Sequence, residues 1–75
     1  MKLHELLRDY RKSKGVTQTH ISKVTGISNK MLSETENGLV RLRAEEFLKI
    51  CQALEVKPNF FMDKLLENEN QKIDS

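Results

Sequence analysis

Seventy-five residues form one small domain and leave no room for a second core, because a chain this short buries only about 60% of the surface its unfolded form exposes. Hydrophobic residues make up 37% and charged residues 32%, with one tyrosine, three phenylalanines and no tryptophan, a balance that allows folding by a small margin. No apolar run approaches the roughly 20 residues that cross a bilayer, and MKLHELLRDY carries acids where a signal peptide would be continuously apolar, so a cytoplasmic protein with no membrane role is expected.

Cys51 is the sole cysteine and cannot form an internal disulfide. With only His4 and His20 beside it there is no CxxC or HxxxH spacing, and neither a metal nor a cofactor is expected. The formal charge of +2 hides an asymmetry. Residues 1–43 carry nine bases against four acids, a balance of +5, whereas residues 44–75 carry four bases against seven acids, a balance of −3. The first part is suited to a polyanion and the second is not.

Leu3, Leu6, Leu7 and Tyr10 fall at i, i+3, i+4 and i+7, one face of an amphipathic helix that Gly15 stops. Thr17 is an N-cap residue for a second, barely two-turn helix that opens with Gln18, turns Ile21 and Val24 inward and ends at Gly26. Ser28 repeats the capping chemistry for a third helix over residues 29–36, with Leu32 inward and Asn37-Gly38 as its stop. Two short helices joined by about four residues that include a glycine have the spacing of a helix-turn-helix. Residues 39–43 read as a loop. Phe47, Ile50, Cys51 and Leu54 then give a second clean helical stripe, opened by Glu45 and Glu46. Pro58 suits the first turn of a fifth helix carrying Phe60, Phe61, Leu65 and Leu66. The polar stretch 67–75 is expected to be a disordered tail behind a domain over residues 1–66. No segment alternates with period two, so an all-α fold of five helices is expected.

An enzyme is disfavoured. Cys51 sits on an inward stripe, His20 on an exposed helix face, and Gly15, Gly26 and Gly38 are isolated helix stops rather than a phosphate-cradling loop.

Several of these residues carry a family resemblance. Arg11-x-x-x-Gly15-x-Thr17-Gln18, Gly26-Ile27-Ser28, Leu32, Glu36-Asn37-Gly38 and Phe47-x-x-Ile50-Cys51-x-x-Leu54-x-Val56 stand in order and at the spacing of the Cro/repressor, or XRE, type of helix-turn-helix DNA-binding domain. The chain resembles that family over residues 3 to 66, with the motif over residues 17–37. The resemblance implies a compact five-helix bundle of the lambda-repressor-like type, with the third helix in the major groove of double-stranded DNA. Residues 38–48 and 60–65 are similar also to the DNA-binding domain of Rgg-type peptide-responsive regulators, which leaves open whether the chain is an excised domain or a stand-alone member.

By this resemblance Ser28, Asn29, Lys30 and Glu34 are the base-reading residues. Their chemistry is suitable, since asparagine pairs with adenine N6 and N7, lysine with guanine O6 and N7, and glutamate with cytosine N4. Gln18 is implied as a phosphate ligand, with Thr17 and Asn37 in support. Arg41 and Arg43 resemble a phosphate clamp, with the minor groove as an alternative target for one of them. Arg11 and Glu36 match a structural ion pair that orients the recognition helix. Thr35 stands where a large apolar or aromatic residue is common, which implies looser packing beneath that helix. Glu34 puts a negative charge where DNA approaches.

The leading expectation is a sequence-specific transcriptional regulator, a repressor that binds a two-fold operator as a homodimer. Val56, Phe60, Phe61, Met62 and Leu65 offer apolar surface for a subunit contact or for the monomer core. The alternative is a protein-interaction module, an antitoxin or anti-repressor component whose apolar C-terminal helix binds another protein.

Overall fold

The first four helices each begin where a side-chain oxygen meets an otherwise unpaired N–H, and these caps fix the chain's turns. The computed structural model describes the backbone of residues 2–74 and the side chains of residues 2–67. Its helices are α1 (Leu3–Ser13), α2 (Gln18–Thr25), α3 (Asn29–Glu36), α4 (Ala44–Ala53) and α5 (Pro58–Asp74). The Glu5 carboxylate accepts the Lys2 N–H at 2.9 Å, and Thr17 Oγ1 accepts the His20 N–H at 3.1 Å. Ser28 Oγ accepts the Met31 N–H at 3.1 Å, and the Glu46 carboxylate accepts the Arg43 N–H at 3.3 Å. A cap of this kind is worth about 1 kcal/mol, a large share for helices of eight residues. No helix among the described residues is long and apolar enough to cross a membrane.

Helix α1 packs on α3 and α5, α2 packs on α3 and α4, and α4 packs on α5. The core consists of Leu7, Ile21, Leu32, Phe47, Ile50, Cys51, Leu54 and Phe61. Phe61 has 0% of its surface exposed and sits edge-on to Tyr10, Phe47 and Phe60 at centroid distances of 5.5, 6.0 and 5.2 Å. Burying such a ring contributes about 1.5–3 kcal/mol, and its edge-to-face neighbours add to that.

Two expectations require correction. Val24 is 56% exposed rather than inward. The half-buried and buried residues of α2 are Gln18, Ile21, Ser22 and Thr25, a stripe of spacing i, i+3, i+4, i+7 that leaves Val24 outside it. Phe61 is wholly internal and has no surface for a subunit contact, whereas Phe60 is 41% exposed and Val56, Met62 and Leu65 are half-buried. Helix α5 runs on to Asp74. Neither glycine nor proline interrupts it, and its glutamates, glutamine and lysine are good helix formers, so α5 continues past the core.

Thr35 is buried, and with His4, Leu7, Arg11, Ile21, Leu32, Glu36, Ile50 and Leu54 it lines a cavity of about 10 Å³ beneath α3. The space at Thr35 is small, and the side chains around it are closely packed.

Helix α4 ends unusually. The Val56 N–H returns to the Cys51 carbonyl and the Glu55 N–H to the Gln52 carbonyl, which places Glu55 at φ +57°. This left-handed position is one that glycine occupies without steric cost. Glu55→Gly is therefore expected to stabilise the domain by about 0.5–1 kcal/mol, read as a higher urea midpoint with an unchanged slope. The neighbouring Cys51 is buried, and burial pushes its thiol up to about 11. Its reaction with a thiol reagent at neutral pH is expected to occur only through opening of the domain, and so to accelerate in step with denaturant; rapid labelling of the native protein would contradict this placement.

Candidate nucleic-acid interface

The turn between α2 and α3 is built by Gly26 at φ +80°, whose N–H bonds the Ser22 carbonyl at 2.9 Å and closes α2. Thr25 Oγ1 donates to the Ile21 carbonyl at 2.7 Å and accepts the Ile27 N–H at 3.1 Å, so one hydroxyl holds both sides of the turn. Ile27 packs against the core, and Ser28, Asn29 and Lys30 are left exposed at the N-terminus of α3. Ser28 Oγ is engaged by the Met31 N–H, which leaves its O–H as a donor to a base acceptor. Glu34 is half-buried, one turn further along. Among the described residues neither Lys30 nor Glu34 enters an ion pair, so both charged groups are available to a ligand.

The orientation of α3 is fixed from behind by one carboxylate. Arg11 Nε and Nη2 donate to the two oxygens of Glu36 at 2.7 and 2.9 Å, and Arg11 Nη1 donates to the Val16 carbonyl at 2.7 Å. Both side chains are 12% exposed. Gln18 Nε2 adds a third bond to Glu36, at 2.9 Å. Burial of Glu36 pushes its carboxyl up, but the hydrogen bonds from Arg11 and Gln18 and the guanidinium charge outweigh that, and the group is held below the usual carboxylate range. The side chains of α1, α2 and α3 thus converge on a single anion.

Gln18 has one N–H committed to Glu36 and retains its second N–H and its carbonyl oxygen. Thr17 is exposed at the cap of α2, and Asn37 is exposed at the end of α3, where its N–H bonds the Ser33 carbonyl. Arg41 and Arg43 are exposed in the following loop and flank a groove whose other walls are Met31, Val40 and Glu46. This groove joins the basic loop to the side of α3. Met31, 38% exposed, is a surface residue of α3 that sequence reasoning missed, because a methionine beside an inward leucine looks like core. The Gln18–Glu36 bond was also missed; the two residues lie 18 positions apart and no local signal joins them.

A family model described as helix-turn-helix, HTH_3, matches residues 7–61, which includes α2, the turn and α3. The chain belongs to the XRE-type helix-turn-helix family. As a member of that family it is a DNA-binding transcriptional regulator. Among solved structures, the restriction-modification controller protein C.AhdI from Aeromonas hydrophila is similar in fold, with a TM-score of 0.73, 24% identity, and coverage of 79% of this chain and 89% of that one. No curated protein matches the sequence. The XRE-type fold accounts for the placement of the first turn of α3 and the cap of α2 at the surface, with Arg11 and Glu36 behind them.

Proposed function

We propose that this XRE-type protein is a sequence-specific repressor that binds a two-fold operator as a homodimer, with α3 in the major groove and Ser28, Asn29, Lys30 and Glu34 facing base edges. The observation that carries this reading is the exposed first turn of α3, with Asn29 and Lys30 unencumbered, on a helix clamped at its far end through Glu36. Asn29 suits adenine, Lys30 suits guanine, and Glu34 accepts from cytosine N4 while disfavouring sites that bring a phosphate close. Thr17, Gln18, Asn37, Arg41 and Arg43 hold the backbone on either side and set the register. Met31 adds an apolar contact suited to a thymine methyl group.

Phe60 and Leu66 are 41% and 56% exposed on α5, and with Val56, Met62 and Leu65 they supply the apolar surface for a second copy. Two copies related by a two-fold axis would read half-sites about 34 Å apart, one turn of the duplex. Repression needs only occupancy of the DNA, which a domain of this size provides. The same exposed residues of α5 support the second reading, an interaction module directed at another protein.

Selection from a library of random duplexes, followed by sedimentation of the selected complex, tests both. The expected result is an enriched two-fold sequence carrying two chains per duplex. Folded protein that enriches no sequence would overturn the repressor reading in favour of the interaction module.

A further inference from the structure

We propose that His4 is a positioning residue for the basic loop, acting on Arg41 through Gly38. The role rests on the reading of Arg41 as a phosphate ligand.

Gly15, Gly26 and Gly38 all have positive φ, but their surroundings differ. A Cβ built on Gly15 or Gly26 meets nothing within 4 Å. At Gly38, with φ +75°, it would lie 2.8 Å from His4 Nε2 and 2.9 Å from Cε1. The imidazole is thus seated on the bare backbone where α3 gives way to the loop. Only glycine permits this approach, for steric as well as conformational reasons.

His4 occupies a wall between two spaces. Inward it lines the small cavity under α3 with Arg11, Thr35 and Glu36. Outward, with Lys2 and Leu3, it forms one side of an open groove whose other side is Gly38, Leu39, Val40, Arg41 and Leu42. The loop itself has few anchors. The Gly38 and Leu39 N–H groups bond the Thr35 and Glu34 carbonyls, Leu39 is 72% exposed, and Leu42 packs on the core at the other end. Arg41 lies between these points, free in solvent. The hydrogen bonds at Gly38 and Leu39 turn the chain out of α3, and the histidine ring packed on Gly38 backs that turn, from which the Arg41 guanidinium is presented.

The test measures binding of the full chain to a labelled duplex of mixed sequence as a function of salt, with thermal melts alongside. His4→Ala is expected to weaken binding about three- to fivefold at physiological salt and to lower the slope of log affinity against log salt by about 1, as loss of one phosphate contact does. His4→Phe, which keeps a ring over Gly38, is expected to bind within about twofold of the parent. In an Arg41→Ala background His4→Ala is expected to cost nothing further, since its effect passes through Arg41. His4→Gln, which removes the ring, serves in the same comparison should the alanine variant melt too low. An unchanged affinity and slope in the ring-less variants, or an equal loss in both backgrounds, would overturn the role. If Arg41→Ala itself leaves affinity and slope unchanged, the phosphate reading of the loop fails, and the role of His4 with it.

Discussion

Arg11→Met is expected to destabilise the domain by about 3–5 kcal/mol at neutral pH, a large part of what so small a domain has, because it strands an ionised carboxylate in an apolar setting. Two of the three hydrogen bonds to Glu36 come from Arg11, and the cavity beside it is lined by Leu7, Ile21, Leu32, Ile50 and Leu54. The pH dependence separates this mechanism from simple loss of packing. In the parent the Glu36 carboxyl is depressed in the folded state, so its contribution is present above the unfolded pKa and is lost as pH falls through the folded value. In Arg11→Met the dominant remaining influence is burial, which raises the folded pKa, so stability is regained as pH falls and the carboxyl takes up its proton. Urea unfolding at neutral and mildly acidic pH is expected to show opposite trends in the two proteins. Glu36→Leu combined with Arg11→Met is expected to recover much of the loss, since an apolar pair replaces a stranded charge. A single variant as stable as the parent would contradict the clamp.

Lys30→Ala and Asn29→Ala are expected to flatten base preference at one position each, with a loss of about 1–3 kcal/mol of discrimination at that base pair. Both side chains are exposed on the first turn of α3, and the helix behind them is held rigidly enough for the loss to be local. Gln18→Ala is expected to behave differently. Its amide bonds Glu36 and retains one N–H for a phosphate, so binding weakens across all sequences without a change in the preferred base. Preference profiles from parallel selections check this. A uniform loss for Lys30→Ala and Asn29→Ala, with profiles unchanged, would remove them from the reading surface.

The caps of α2 and α3, the stops of the first three helices and the inward stripe of α4 were legible because they rest on local chemistry: the hydroxyls of Thr17 and Ser28, the conformation of Gly26, and the spacing of Phe47, Ile50, Cys51 and Leu54. The Arg11–Glu36 pair was legible only through family resemblance, since 25 residues separate its partners. Contacts decided by tertiary packing were not legible at all. Adjacent phenylalanines at 60 and 61 look alike in sequence, yet the meeting of α1, α4 and α5 buries one completely and leaves the other at the surface. Val24 fits a helical period as well as Ile21 does, and only the direction of α4 decides which side of α2 is inside. The left-handed turn at Glu55 was hidden because the residue there is not the glycine that such a turn favours. The seat of His4 on Gly38 joins the first turn of the chain to the end of the third helix, again beyond any local signal.

On the proposed function, the α2 cap, the first turn of α3 and the loop after it form a single DNA-binding face. Amide chemical shifts of isotope-labelled protein, followed as duplex is added, test it most directly. The largest changes are expected at residues 17–20, 28–34 and 37–43, with the first turns of α5 little affected at low occupancy. Changes centred on residues 60–66, with α3 unmoved, would contradict it.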